Sequence, residues 1–374
     1  MQRFLTIVLV TVIFVLYGSP LTAANHPEEH FESENASESI RVPHIALLLP
    51  LESPSFGTAA NTVKEGFVAA TMREQPLPLI IRLYSTTDDP LDIFVTYHEA
   101  LAAGAILVVG PLTRDGVSAI ASSKILEVPT LTLSTVDNQI TLPSNLYLFG
   151  LQMETEAGQI AKMAFASGKS HAIIIGDDSS LSRRLQTAFA ERWQSKSGRT
   201  AESLRYAEDP VKLQQFRHLT AGANHLIFLT LDAAKSRMLR SYLDPEVPVY
   251  ATSQVFIGNE NFLLNNDLNG VYFVDMPWLL QPDHPAVMAY RHMDTAESTD
   301  MKRLYALGID AFRLMTHLLR LQSADTISFD GVTGHIRFAP PNRFIREPVA
   351  AQFEQGKAQL INLQKDITSS HEGQ

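Results

Sequence analysis

Short apolar runs alternating with stretches of helical period dominate this chain from residue 42 onward, and the alternation occurs twice over. Residues 44–49, 78–84, 106–109 and 130–133 read as strands, separated by helical segments at 58–73, 90–103 and 113–124. In the first of these helices Val63, Phe67 and Ala70 fall on one face. Strands that are apolar along their whole length must be covered on both faces, which calls for a parallel sheet with helices on each side. The rhythm resumes with a helix at 154–167, a strand at 171–176, a helix at 179–194, a strand at 225–230, a helix at 232–242 and a strand at 247–251. The expectation is an α/β fold of two doubly wound parallel-sheet lobes, joined by crossing segments near 147–153 and 252–258. A strand at 271–275, helices at 285–293 and 301–321 and a closing strand at 334–338 follow the second crossing. Lobe 1 is thus expected over 42–148 plus 255–328, and lobe 2 over 149–254 plus 329–366.

The ends read differently. Arg3 precedes a charge-free run at 5–17, which Gly18 and Pro20 break and the small residues 22–24 follow, the pattern of a cleaved secretory signal over 1–24. A helix needs roughly 20 apolar residues to cross a bilayer, more than this run supplies. Residues 25–40 hold five glutamates and no Lys or Arg, so 25–41 reads as an acidic flexible tether, and 367–374 as a disordered tail. The chain has 30 Lys and Arg against 40 Asp and Glu, a formal net charge of −10, which argues against nucleic acid as a partner. No cysteine occurs in the 374 residues. That excludes disulfides, thiolate-bound zinc or iron–sulfur centres, a thiol nucleophile and an acylated cysteine.

Motifs for catalysis are missing. Gly168, Lys169 and Ser170 resemble the end of a phosphate loop, but Met163 stands where its first glycine belongs and a strand follows instead of preceding. No G-x-S-x-G, H-E-x-x-H or post-strand G-x-G-x-x-G occurs. His26 and His30 read as solvated in a flexible acidic stretch, Asp283 and His284 with His292 are too loosely spaced to ligate a metal, and Asp177 with Asp178 follows a strand where Asp commonly caps the next helix. No catalytic residue, metal or cofactor is expected.

Topology points instead to the crevice beyond the carboxyl ends of the strands, where loops meet helix N-termini. The residues placed there are Ser53, Thr113, Ser134, Thr135, Glu154, Asp177, Ser180, Thr230 and Ser253. They either hold a small polar ligand, with Ser134 and Thr135 on a carboxylate, or merely cap helices.

Several segments resemble the penicillin-binding protein activator family (LppC-like or LpoA-like), built on the type I periplasmic-binding-protein fold. They are 45–51 (IALLLPL), 108–112 (VVGPL), Arg184 with 188–193 (AFAERW), 250–253 (YATS), 276–280 (MPWLL), 303–311 (RLYALGIDA), and 331–334 (GVTG) with Arg346, Gln352 and Phe353. The first two are common among type I binding proteins; the MPWLL and RLYALGIDA segments and the tail from Arg346 favour the activator family. The resemblance implies a non-enzymatic envelope regulator that docks on a peptidoglycan synthase, a penicillin-binding protein, and stimulates its transpeptidase. Better-known members are lipoproteins with a further helical-repeat domain, whereas this chain lacks the cysteine and reads as a soluble periplasmic protein without a membrane anchor. Trp278, Leu279 and Leu280 are the candidate partner-binding residues, an aromatic anchor beside apolar neighbours, unless they belong to the core. The alternative is a solute-binding receptor of an ABC transporter for amino acids or similar small polar ligands, closing by hinge motion.

Overall fold

A computed structural model of the protein describes residues 41–74, 78–123, 126–136, 141–290, 298–320 and 323–361. The expected signal, the tether up to residue 40, the tail and His292 lie outside them.

The first lobe begins with β1 (His44–Leu49), α1 (Gly57–Thr71), β2 (Ile80–Ser85), α2 (Pro90–Ala102), β3 (Ala105–Val109), α3 (Arg114–Ala121), β4 (Thr130–Thr132) and β5 (Leu146–Leu148). The second contributes α4 (Met153–Ala166), β6 (His171–Gly176), α5 (Ser180–Ser197), β7 (Glu202–Arg205), α6 (Pro210–Thr220), β8 (His225–Thr230), α7 (Ala233–Arg240), β9 (Val249–Ala251), α8 (Phe262–Asn265) and β10 (Val271–Asp275). After α9 (Pro277–Leu280), α10 (Pro285–Met288) and α11 (Thr299–Arg320), β11 (Ser328–Asp330), β12 (His335–Ala339) and β13 (Arg343–Glu347) return to the first sheet. The last two strands, β14 (Val349–Glu354) and β15 (Lys357–Leu360), close the second.

The sheet orders are β11-β12-β13-β5-β4-β3-β1-β2 and β15-β14-β10-β9-β8-β6-β7. Strands β1 to β5 pair in parallel, as do β6 to β10; β13 joins β5 in parallel, with β12 and β11 antiparallel beyond it, and β14 and β15 extend the second sheet antiparallel. Each strand order reverses once, between β3 and β1 and between β8 and β6, as a doubly wound fold requires.

Burial on both faces explains the apolar runs. Ile45, Leu47 and Leu49 of β1 enter one core while Ala46 and Leu48 enter another on the opposite face. In β6, Ile173 and Ile175 face one core and Ala172 and Ile174 the other. The helices start where the sequence supplies acceptors: Asp89, Thr113, Ser179, Asp209 and Asp232 cap α2, α3, α5, α6 and α7 through their side chains. Helices α1 and α11 touch backbone to backbone. A Cβ on Gly66 would lie 1.9 Å from the Tyr305 carbonyl oxygen, and one on Gly308 2.0 Å from that of Val63.

The lobe boundaries differ from the expected ones. Strand β10 pairs in parallel with β9 and belongs to the second sheet, not the first. The chain therefore leaves lobe 2 after Asp275, rather than near 252–258. Strands β11 to β13 belong to the first sheet, so the last crossing falls at Pro348, rather than at residue 329. An apolar run marks a strand, but its partner is chosen by register and side-chain fit across the sheet, which periodicity does not encode.

Candidate functional site

Helix α11 carries Arg303 and Asp310 seven residues apart, hence on one face, amid Leu, Tyr, Ala and Ile. Charges on an apolar face must be paired, and both are. Arg303 is 7% exposed and donates from Nη2 to Asp275 Oδ2 at 2.6 Å and from Nε to Oδ1 at 3.2 Å. Nη2 also meets the carbonyls of Ser253 (3.0 Å) and Phe256 (2.9 Å), and Nη1 meets Asp300 at 2.6 Å. A second buried pair lies beside it: Arg346 of β13 donates to Glu156 of α4 at 2.5 Å, and Glu156 accepts from the Ser253 N–H at 3.0 Å. Each pair joins the lobes, since α11 and β13 belong to lobe 1 and Asp275 and Glu156 to lobe 2. Burial pushes the Asp275 carboxyl above its ordinary value although Arg303 pulls it down. Burial alone would lower Arg303, but Asp275, Asp300 and Glu156 raise it above the usual guanidinium value, so the cation is permanent. Asp310 performs a local task, accepting from the N–H groups of Val332 (3.0 Å) and Thr333 (2.7 Å) and so holding the turn before β12.

Outside this seam a groove of about 1030 Å³ opens, with α4 and α5 as one wall and β12, β13, Arg114, Thr135 and Val136 as the other. At one end Glu154 accepts from Arg114 Nη2 and Arg184 Nε, both at 2.8 Å, linking the start of α3 to α4 and α5. Burial would raise Glu154, but its own backbone N–H at the start of α4 and the two guanidinium groups outweigh it and hold the carboxyl below its usual range.

Of the sequence candidates, Thr135, Glu154 and Ser180 line this groove. The others are occupied elsewhere. Ser53 Oγ accepts from the Phe56 N–H at the start of α1, Thr113 caps α3, and Thr230 shares a 2.6 Å hydrogen bond with Ser182. Asp177 accepts from Lys235 at 2.6 Å; its carboxyl would be raised by burial but is held low by Lys235 and Ser179. Ser253 acts through its backbone in the seam, and the Ser134 carbonyl accepts from Thr132. Trp278 is half-buried and stacks at a tilt on Tyr305, its ring centroid 5.7 Å away. Leu279 packs against the cores of both lobes and Leu280 is buried in that of lobe 2. The segment is thus spent largely on joining the lobes. Reasoning from loop positions missed Glu156, Asp275, Arg303 and Arg346 as a set; the charged residue on an apolar helical face was the one signal available. Among the described residues no group of three or more His, Asp and Glu is placed to hold a metal, and no helix is long and apolar enough to cross a membrane.

This architecture is the type I periplasmic-binding-protein fold. A Chromobacterium violaceum structure described as "a putative branched-chain amino acid ABC transporter" superposes with a TM-score of 0.71 at 34% identity, over 83% of this chain and all of that one. The C-domain of Haemophilus influenzae LpoA, described as a regulator of PBP1A, gives 0.73 at 23% identity, over 85% of this chain and all of that one. By sequence, the penicillin-binding protein activator LpoA of Photobacterium profundum is 24% identical over 358 residues, covering 83% of this chain and 56% of its own length. That of Aliivibrio fischeri is 26% identical over 336 residues, covering 80% and 55%. The chain spans about half the length of the curated relatives it matches. The model of the family described as "LppC putative lipoprotein" matches residues 21–225 and 225–356, and the chain belongs to that family.

Proposed function

We propose that the protein is a non-enzymatic periplasmic regulator that contacts a penicillin-binding protein and stimulates its transpeptidase. The observation that carries this reading is correspondence with a whole regulatory module: the chain covers all of the LpoA C-domain of H. influenzae, a regulator of PBP1A. The seam agrees with it. Two buried ion pairs join the lobes, and most polar side chains at the strand ends are engaged within the protein. A receptor for a small solute needs polar groups free to meet it. None of the 374 residues is a cysteine, so none of them can carry a lipid on a thiol. The test is retention of bifunctional synthases by the purified chain together with a transpeptidase assay; a chain that neither retains nor stimulates any synthase removes the reading.

The receptor reading draws on the 34% identity to the C. violaceum structure. A thermal-shift series over amino acids separates the two. A ligand at about 100 times its Kd stabilises by about 2.7 kcal/mol, and the regulator reading expects no such shift.

A further inference from the structure

The groove along α4 and α5 is lined by seven cationic side chains against three carboxylates, in a chain whose net charge is −10. Composition does not produce such a surface; it must be concentrated there. Glu154 neutralises part of it through Arg114 and Arg184, and Glu347 pairs with Arg337. Among the described residues no carboxylate forms an ion pair with Lys162, Arg192 or Arg343, and Arg183 meets only the Asp178 carbonyl, at 2.6 Å. The Nε of Arg343 is buried without a hydrogen-bond partner. A buried donor left unpaired costs stability, and like charges held around one concavity repel, so the arrangement gains nothing for the fold. An anion would satisfy both.

The lining narrows the class of anion. Six of the seven cations are arginines, whose planar forks match carboxylates in pairs of hydrogen bonds. Gln152, Thr155, Thr187 and Ser195 stand between them, amides and hydroxyls of the kind that meet sugar hydroxyls. Among the described residues no aromatic side chain lines the groove, so an occupant would be held by charge and hydrogen bonds and not by stacking. Its volume sits at the upper end of the roughly 300–1000 Å³ typical of small-molecule sites, larger than one amino acid fills. We propose that this groove binds an acidic oligosaccharide, its carboxylates held by Lys162, Arg183, Arg192 and Arg343. The proposal does not rest on the synthase reading.

The experiment titrates the full chain with hexagalacturonate, a neutral dextrin of the same length, and hexaglutamate. Hexagalacturonate should bind, more weakly as ionic strength rises, while the dextrin should not. The triple variant K162Q/R192Q/R343Q should bind at least tenfold more weakly, and Lys212→Gln, an exposed cation on α6, should bind as the wild type does. Unchanged binding by the triple variant, or no binding by the wild type, overturns the proposal. Equal or tighter binding of hexaglutamate overturns it in favour of an acidic peptide. Synthase retention by the triple variant is measured in parallel, so that either conclusion can fail while the other stands.

Discussion

The seam and the groove both gather arginines where the lobes meet, and neighbouring residues of the same elements supply them. On β13, Arg346 turns inward to the seam and Arg343 outward to the groove, because a strand alternates its faces and these positions are three apart. On α4, Glu156 enters the seam and Glu154 the groove, because two positions along a helix are about 200° apart around it. At the seam each charge has a partner and almost no solvent; Arg303, Asp275, Arg346 and Glu156 are at most 7% exposed. In the groove, cations outnumber acids and several stand unpaired. Charge that is fully matched and dry holds a structure together, whereas charge left over in a solvent-filled hollow is available to something else.

Substitutions at the two regions should therefore differ in kind. Arg303→Met leaves Asp275 buried without its cation, and urea denaturation should show a loss of about 3–5 kcal/mol; a loss below about 1 kcal/mol would mean the seam does not hold the lobes. Arg346→Met, which strands Glu156, should cost somewhat less, about 3 kcal/mol, since Arg346 Nε has no partner to lose. The double variant should cost less than the sum, because Ser253 touches both pairs, and additivity would show them to be independent. Glu154→Gln, which loosens a partly exposed link, should cost only about 0.2–1 kcal/mol. Its pH dependence has a definite sign. The folded-state value of Glu154 lies below its unfolded one, so its contribution is present above the carboxylate range and disappears as pH falls through that range. Asp275, raised in the fold, has the opposite sign: stability falls as pH rises from its unfolded value toward its folded one. Glu154→Gln should accordingly shallow the acid-side loss of stability measured by thermal melts, and an unchanged or steeper limb would contradict the assignment. The smallest effect belongs to K162Q/R192Q/R343Q, within about 0.5 kcal/mol in total and, through relieved repulsion, neutral or slightly stabilising. A large loss there would make the groove a structural element like the seam.

Much of the fold could be read in advance. The runs at 44–49, 171–176 and 225–230 are strands because only a sheet covered on both sides buries every residue of such a segment, and their cores do lie on both faces. The destination of β10 and of β11 to β13 could not, since one apolar run serves either sheet. The loop positions of the crevice were legible, but what their side chains do was not: Ser53 and Thr113 spend their oxygens on helix starts, the outcome that local chemistry favours. The groove was hidden for a different reason. Its cations come from Arg114, from α4 and α5 in the middle of the chain and from β12 and β13 near its end, and no local window gathers residues that the crossings bring together.

Those crossings also make the module indivisible. The chain passes between the lobes after β5, after β10 and after β13, so no contiguous half of the sequence contains a complete sheet. A protease that cuts once within lobe 2, between α6 and β8 for instance, leaves two fragments that each still contribute strands to both sheets. The nicked protein should stay together until denaturant is added. Inheritance meets the same restriction, since neither lobe can be exchanged or duplicated by moving a single stretch of gene.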